Sequence, residues 1–484
     1  MQEEQEQEQE AGSDDAWEQR GPPSLLQLAE EQLLQGIRQA SRHIEAPFCV
    51  GGSLGKLPVQ LAVRPAAGAS GEVAILCFPD GGRDALAKLV ASCAPASFGK
   101  GTKEVLDDGY RRALALPADR IFPHFHLAQH PGVLAAVRSL LLPDAGELSA
   151  RLHTLKVYTQ GGFFKPHRDT PRGDPSFVGS LVVCLPVGHA GGALRVEHSG
   201  RSVAYGWGPG AAAGEVQWAA FFPSCLHQVL PVQEGARVTL AYELFAQPAG
   251  TAKQAQPTAL PGTAAELLRA LRPAMDCPSF MVNGGRLGFP CKHGYPNSLF
   301  EGVTEQAVRQ LLKGEDAALL HALEALGIPC KLMRVWKDEE GYDDWAEGWD
   351  SEEGLERYKS ALRVGPSMAA YLAGADEDVH CQDAGSAWLE YVMQARKDEW
   401  VLGGSDRFYY GNYPTTLAEF YCAVAIVAEV PAYADRPAAG AMAWAGRDAA
   451  GTRAGSGAAA GPSSPTGSPQ AKRAKHDAAE AGEG

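Results

Sequence analysis

The sequence predicts an α+β fold in which a β-rich core is flanked by mixed α/β segments and by two tails. Three observations predict it. Short strand-like runs, separated by Gly, Pro and Asp, follow one another through residues 150–249. Amphipathic helical patterns precede and follow that stretch. Both ends of the chain lack the apolar periodicity that a packed core requires.

The flank before the core, residues 22–149, begins with a helix. Ser24 stands at the N-cap position, and Gln27 completes a capping box. An apolar stripe follows at helical spacing: Leu26, Leu33, Ile37 and Ile44. Further along, the pattern predicts a strand at 73–78 and helices at 82–94 and 131–141.

The core itself is predicted from six short runs with strand character. They lie at residues 152–158, 180–185, 194–198, 216–222, 226–232 and 238–245. Closely spaced short strands with turn signals are typical of a β-sandwich or a barrel.

Residues 250–435 return to a mixed α/β pattern that we expect to be non-catalytic. Helices are predicted near 263–272, 304–313 and 315–326, strands near 330–336 and 422–430, and an acidic surface loop at 338–357. The His residues of this region, His293, His321 and His380, stand alone in the sequence and belong to no His-x-Asp motif.

Composition identifies the two tails and indicates which classes of binding partner the chain does not attract. Residues 1–21 are rich in Glu and Gln, and residues 436–484 are rich in Ala, Gly, Ser and Pro, so both are predicted to be disordered. The short basic run Lys472-Arg473-Ala474-Lys475 is either a nuclear address or solvated charge. A net charge of −15 gives no general attraction to nucleic acid.

Nothing in the sequence predicts secretion or a membrane span. The acidic N-terminus does not resemble a signal peptide, and no apolar run reaches the roughly 18 residues of a membrane helix. Ten cysteines are scattered without a Cys-x-x-Cys pair, which fits a reducing compartment better than a disulfide framework. We therefore expect a cytoplasmic or nuclear protein, or one found in both compartments.

A metal site is predicted at His167 and Asp169, which form the only His-x-Asp in the sequence. On a strand, residues two apart point to the same face, so this imidazole and this carboxylate can bind one ion. His227, at the start of a later strand of the core, is the candidate third ligand. Two His and one carboxylate that leave open positions are typical of non-haem Fe(II) oxygenases.

A second pair of residues predicts an anion site beside the metal. Arg237 and Thr239 share one face of the last core strand. A guanidinium binds a carboxylate through two hydrogen bonds, and a neighbouring hydroxyl adds another. Tyr158, on the strand that leads to His167, offers a phenolic donor.

These segments resemble prolyl-4-hydroxylase-type 2-oxoglutarate/Fe(II) dioxygenases over about residues 150–246. The stretch YTQGGFFKPHRD at 158–169 is similar to their iron-binding strand, and 179–186 and 191–194 are similar to the two strands that follow. Cys225-Leu-His227 and Arg237-Val-Thr239 resemble the last ligand and the co-substrate clamp.

The resemblance implies a double-stranded β-helix (jelly-roll) with flanking helices. It also implies Fe(II) on His167, Asp169 and His227, and 2-oxoglutarate on Arg237, Thr239 and Tyr158. Ascorbate is the implied reductant, and no catalytic side chain is implied beyond the metal centre. The implied reaction hydroxylates a C–H bond of a protein or peptide, prolyl or other, with release of succinate and CO2.

The chain departs from the animal collagen prolyl hydroxylases, which act in the secretory pathway and have Lys at the clamp position. The run at 169–172 and the Gly-Gly-x-Leu pattern are more similar to uncharacterised prolyl-hydroxylase-like proteins of fungi and algae. Two other functions stay open. One is a non-catalytic metal-binding interaction module of the same fold, and the other is an oxygenase of small molecules or nucleobases.

Several further residues have two interpretations. One group of histidines either forms a zinc site or consists of ordinary core or surface histidines: His124, His126 and His130. Two further histidines either contact the substrate or have a structural role: His189 and His198. Four apolar residues either line the substrate pocket or belong to the hydrophobic core, and the pattern favours the core: Val183, Leu185, Phe221 and Phe222.

Overall fold

The computed structural model describes residues 24–65, 72–100, 103–171, 173–249, 262–300, 303–337, 362–365, 379–380, 410–411 and 421–436. The predicted tails lie outside these residues, except for Arg436, and so do the acidic stretch 338–357 and the basic run of the second tail. The Arg436 guanidinium donates to the carbonyls of Phe280 and Met281, which ties this residue to the C-terminal region.

The described residues of the N-terminal flank form three α-helices and nine short strands. They are α1 (Leu25–Arg42), β1 (Cys49–Lys56), β2 (Val59–Val63), β3 (Ala74–Phe78), α2 (Gly82–Ser92), β4 (Ala94–Pro95), β5 (Phe98–Lys100), β6 (Lys103–Val105), β7 (Arg111–Arg112), β8 (Leu114–Pro117), β9 (Ile121–Pro123) and α3 (Pro131–Leu141).

The central part consists of nine strands and one short helix. They are β10 (Ala145–Thr159), β11 (Phe163–His167), β12 (Phe177–Cys184), β13 (His189–Gly191), β14 (Leu194–His198), β15 (Arg201–Tyr205), α4 (Gly208–Ala212), β16 (Glu215–Phe221), β17 (Leu226–Val229) and β18 (Val232–Pro248).

Two antiparallel sheets are built mainly from these central strands. The larger sheet has the order β1-β16-β12-β18-β10-β8-β4, with β13 paired to β18. The smaller sheet has the order β15-β14-β17-β11-β7. Apart from β13 and from the β14–β15 hairpin, whose strands pair within the smaller sheet, the central strands alternate between the two sheets. Strands β10, β12, β16 and β18 belong to the larger sheet, and β11, β14 and β17 to the smaller one.

The C-terminal region adds helices and a further sheet. Its elements are α5 (Gly262–Asp276), β19 (Gly285–Pro290), β20 (Tyr295–Pro296), α6 (Glu305–Gln310), α7 (Gly314–Ala325), β21 (Cys330–Lys337), β22 (Leu362–Gly365), β23 (Val379–His380), β24 (Tyr410–Gly411) and β25 (Tyr421–Val430). The sheet has the order β19-β25-β21-β22-β23. Strand β24 instead pairs with β5 of the flank.

One continuous apolar core joins these parts. It includes Ile37 of α1, Leu181 of β12, Leu240 of β18 and Leu320 of α7, and each is nearly or fully buried. Helix α1 packs against α5, so the N-terminal and C-terminal helices share one hydrophobic layer. Burial of this kind contributes about 25 cal/mol per Å² of apolar surface.

The structure confirms the first predicted helix and corrects its apolar stripe. Ser24 caps α1, and Gln27 completes the capping box. Leu26, however, is 66% exposed, whereas Leu34 and Ile37 are buried. The buried face is set by the packing of α1 against α5, which periodicity within α1 does not determine.

The predicted strands are present, and two of them extend beyond both predicted ends. Strands β10 and β18 continue past both ends of the predicted runs and pair with each other along nearly their full length. Polar residues near their ends are stabilised by ladder hydrogen bonds that a hydrophobicity pattern does not reveal. Among the described helices, none combines the length and apolar character that crossing a membrane requires.

Candidate metal and co-substrate site

The three predicted metal ligands meet on the smaller sheet. His167 is the last residue of β11, and His227 lies directly opposite it on the antiparallel neighbour β17. Asp169 comes just after β11, where its backbone N–H donates to the carbonyl of Pro223 at 3.0 Å. Strand pairing therefore brings His227 to the His-x-Asp motif.

The ligand atoms of these residues form a tight, buried group. One ligand atom each from His167, Asp169 and His227 lies within 4.8 Å of the other two. The Asp169 Oδ1 and His227 Nε2 atoms are 3.6 Å apart. The exposed fractions of the three residues are 3%, 4% and 6%.

Hydrogen bonds orient both imidazoles for metal binding. The Nδ1 of His167 donates to the Lys165 carbonyl at 2.8 Å, and the Nδ1 of His227 donates to the Cys225 carbonyl at 3.0 Å. Because a carbonyl only accepts, each ring carries its proton on Nδ1 and keeps a free lone pair on Nε2.

Burial also favours the neutral form that binds metals. It lowers the pKa of His167 well below the usual value, and the neighbouring His227 lowers it further. Burial lowers the pKa of His227 as well, against the opposing effect of Asp169. The Ser180 hydroxyl donates to Asp169 Oδ2, which holds that carboxylate in place. The donor set and its orientation fit a two-His, one-carboxylate iron site.

The predicted clamp lies on the larger sheet, across the pocket. Arg237 of β18 is 1% exposed and pairs in register with Tyr158 of β10. Its guanidinium carbon lies 5.3 Å from the Tyr158 ring centroid and 5.2 Å from that of Trp207. Thr239, two residues further along β18, is 1% exposed.

Arg237 has a buried charge without a counter-ion among the described residues. Its Nε has no hydrogen-bond partner there, and no described carboxylate influences its pKa, which burial lowers. An isolated buried charge costs several kcal/mol unless an anion compensates it. The site therefore fits a carboxylate ligand such as one end of 2-oxoglutarate.

A single pocket connects the metal ligands to the clamp. It is a partly open cleft of about 700 Å³, a volume that includes the open solvent at its mouth. Its lining includes all six predicted site residues: Tyr158, His167, Asp169, His227, Arg237 and Thr239. Other polar groups are contributed by His153, Lys156, Thr170, Ser180 and Glu243.

The residues with two interpretations divide as follows. Phe221 lines the pocket, 4.6 Å from the His227 ring. Val183, Leu185 and Phe222 belong to the core and do not line the pocket. The apolar lining that the sequence did not predict comes from Phe164, Phe177, Val182, Leu194, Val229, Ala241 and Tyr242.

Phe164 contacts the metal ligand His167 directly, and the sequence pattern did not predict this contact. Its ring stacks on the His167 ring with centroids 3.5 Å apart, and the Arg111 guanidinium carbon lies 4.4 Å from the Phe164 ring centroid. In a regular strand, residues three apart point to opposite faces. A register shift between Phe164 and His167 places both on one side.

The other histidines are not part of this site. His124 and His126 are exposed and His130 is half-buried, and none belongs to a possible metal-binding group among the described residues. His189 is buried outside the pocket lining, where its Nδ1 donates to the Val187 carbonyl.

His293 and His321, which stand alone in the sequence, have partners in three dimensions. His293 stacks on His198, which faces the C-terminal region instead of the pocket. His321 pairs with Asp144 at 3.0 Å. Both partners are distant in sequence, so no local spacing could have revealed them. The side chain of His380 lies outside the described residues.

Residues 153–242 match the family model of the 2OG-Fe(II) oxygenase superfamily. No curated protein matches the chain.

Three solved structures illustrate the likeness. The first is a Pseudomonas putida prolyl-4-hydroxylase, with 20% identity, a TM-score of 0.24, and coverage of 34% of this chain and 82% of that one. A Trichoplax adhaerens prolyl hydroxylase, solved with a fragment of the hypoxia inducible factor oxygen degradation domain, has 13% identity, a TM-score of 0.23 and coverage of 46% and 94%. A Burkholderia pseudomallei oxidoreductase has 12% identity, a TM-score of 0.21 and coverage of 45% and 90%.

Proposed function

Through residues 153–242 the chain belongs to the 2OG-Fe(II) oxygenase superfamily, and on that premise we propose that it hydroxylates a C–H bond of a protein side chain, prolyl or other. The observation that carries this proposal is the joint placement of a buried metal triad and a buried Arg237 without a counter-ion in one pocket. We also interpret the two sheets, with strands alternating between them, as a double-stranded β-helix.

When bound, Fe(II) and 2-oxoglutarate supply the oxidation: dioxygen and the co-substrate are consumed, a C–H bond becomes C–OH, and succinate and CO2 are released. Ascorbate is the proposed reductant that keeps the metal in its ferrous state.

The protein's own residues position these reactants. His167, Asp169 and His227 would hold the metal on one side and leave the pocket side open. Arg237, with Thr239 and Tyr158 beside it, would bind the carboxylate far from the metal. Burial of the ligands and of Arg237 excludes water, which strengthens each electrostatic contact.

The intact triad and clamp favour catalysis over a purely structural metal module. A module that only bound partners would have no use for a buried guanidinium beside its metal. Resemblance in sequence to prolyl-4-hydroxylases favours a protein substrate. The net charge of −15 disfavours nucleic acid as the substrate.

The test measures succinate from purified protein with Fe(II), 2-oxoglutarate and ascorbate, in the presence of a library of proline-containing peptides. We expect succinate and a peptide mass gain of one oxygen, both absent in His167→Ala. Succinate that responds to a small metabolite or a nucleobase instead would move the substrate to that class. Absence of both succinate and 2-oxoglutarate binding in the wild type would leave only the interaction module.

A further inference from the structure

The C-terminal region reaches the back of the metal centre through His293, which is 2% exposed. Its ring stacks on that of His198 from β14, with centroids 3.9 Å apart and planes 8° apart. The ring edge also meets Phe222, at 4.8 Å. A side chain from outside residues 153–242, the part of the chain that matches the family model, thus packs against the residues that lead to His227.

Glu315, in the first turn of α7, fastens this contact. Its Oε2 lies 3.2 Å from the Nε2 of His293 and 3.5 Å from the Nε2 of His198. Its Oε1 accepts a hydrogen bond from the Arg201 guanidinium of β15. One buried carboxylate of the C-terminal region therefore binds two strands of the smaller sheet.

Asp316, the next residue, fixes the backbone of His293. Its carboxylate accepts from the backbone N–H groups of Lys292 at 2.7 Å and His293 at 3.1 Å. It also accepts from the Tyr295 hydroxyl at 2.9 Å. His293 is therefore held rigidly at both its backbone and its ring.

The other edge of the His293 ring contacts the turn at 223–225. Because its Nε2 faces the Glu315 carboxylate and carries the proton, its Nδ1 accepts from the Ser224 hydroxyl, at 3.3 Å. The Pro223 carbonyl accepts from the Asp169 N–H, and the Cys225 carbonyl accepts from His227 Nδ1. One turn is thus bonded to two of the three metal ligands.

The Ser224 carbonyl strengthens the same connection, since it accepts from the guanidinium of Arg168, which lies between His167 and Asp169. Displacement of the turn would move the Asp169 carboxylate and the His227 ring together. Ligand orientation of this kind tunes metal affinity.

His198, Cys225 and His293 do not themselves form a second metal site. Donor atoms of His198, Cys225 and His293 lie within 4.8 Å of one another. An imidazole lone pair lies in the plane of its ring, however, and rings stacked at 8° hold their lone pairs in two nearly parallel, separate planes. One ion cannot lie in both planes, so the geometry favours hydrogen bonding to Glu315.

We propose that His293 and Glu315 are positioning residues of the iron centre, which act by holding the turn at 223–225 against Asp169 and His227. This rests on the proposed function only in that the triad must bind a metal ion. It gives the C-terminal region a role in the centre, where the sequence indicated none.

The experiment titrates Co(II), as a spectroscopic substitute for Fe(II), into the full-length wild type, Ser224→Ala and Glu315→Gln. Ser224→Ala removes only the hydroxyl between the turn and His293. We expect Co(II) affinity to fall roughly ten- to hundredfold in both variants, with altered visible bands, while His321→Asn keeps wild-type affinity. His321 lies on the same helix as Glu315 but pairs with Asp144, away from the turn.

The outcomes separate the two proposals. A wild type that binds no Co(II) contradicts the proposed function. A wild type that binds one Co(II), with unchanged affinity and spectra in both variants, overturns the positioning role alone. Binding of two Co(II) ions per chain also overturns it, because the cluster would then be a metal site. If Glu315→Gln does not fold, Ser224→Ala decides by itself.

Discussion

Arg237 is the residue whose environment says most about the ligand. It is 1% exposed, and its Nε finds no acceptor among the described residues. Proteins rarely bury a guanidinium without a carboxylate. Aromatic faces of Tyr158 and Trp207 compensate only in part. The missing partner is most simply an anionic co-substrate.

Substituting Arg237 should therefore separate co-substrate binding from metal binding. In Arg237→Ala we expect 2-oxoglutarate affinity to fall by at least about thirtyfold, since losing one partner of a buried charge pair costs roughly 2–5 kcal/mol. Metal affinity should change little, because Arg237 contacts no metal ligand. Titration calorimetry with Mn(II) alone, and then with 2-oxoglutarate added, measures both affinities. Equal losses in the two would mean that the clamp is misassigned.

A second residue-scale prediction concerns Ser180. Its hydroxyl donates to Asp169 Oδ2, so Ser180→Ala removes one of the contacts that orient this carboxylate. We expect metal affinity to fall roughly tenfold or more, with little change in melting temperature. Ser202→Ala, at an exposed serine of the smaller sheet, is the matched control. Wild-type Mn(II) affinity in Ser180→Ala would show that this hydrogen bond does not orient Asp169.

At the scale of the element, strand β11 shows how a local irregularity changes a site. Alternation predicts that Phe164 faces away from His167, yet the register shift lets their rings stack. Such a shift is set by pairing with β17 and β7, which are distant in sequence. Simple alternation can thus assign the wrong face to a residue of an irregular strand.

The prediction at this scale concerns the stability of the larger sheet, in which strand β12 lies between β16 and β18. Leu181 is fully buried there, so Leu181→Ala should lower the free energy of unfolding by about 2–5 kcal/mol. Leu140→Ala, at a residue of α3 that is 49% exposed, should cost much less. Urea unfolding of the two variants measures the difference. Similar losses would argue against β12 as the centre of the core.

At the scale of the whole molecule, the C-terminal region and the oxygenase segment share buried polar groups as well as one apolar core. Burial lowers the pKa of His293 to about 3, and the nearby His198 lowers it too, against the effect of Glu315. The unfolded chain keeps a His near its ordinary pKa of 6.5. Below that pH the unfolded chain binds a proton that the folded chain does not.

Stability should therefore fall as the pH drops below 6.5, by up to about 1.4 kcal/mol per pH unit from His293 alone. Urea unfolding of metal-free protein at pH 7.5, 6.5 and 5.5 measures this slope. We expect His293→Gln to have a shallower slope, and the difference between the two proteins removes contributions from other groups. Identical slopes would indicate that His293 becomes protonated in the folded protein.

The sequence by itself predicted the mixed α/β character of the fold, six of the seven described α-helices, the longest strands of the core, and all six residues that meet in the pocket. These depend on local signals: His167 and Asp169 lie two apart beside one strand, and Arg237 and Thr239 lie two apart on another. Short spacing fixes direction, because the geometry of an extended chain repeats every two residues.

Only the tertiary structure decided which distant residues meet. It placed Trp207 on Arg237 and His293 behind the turn that leads to His227, and the pairing of β11 with β17 set the register in which Phe164 stacks on His167. These contacts depend on strand register and on packing between segments far apart in the chain. A local pattern carries no record of such partners, because the free energy that selects them arises only when the whole core is buried.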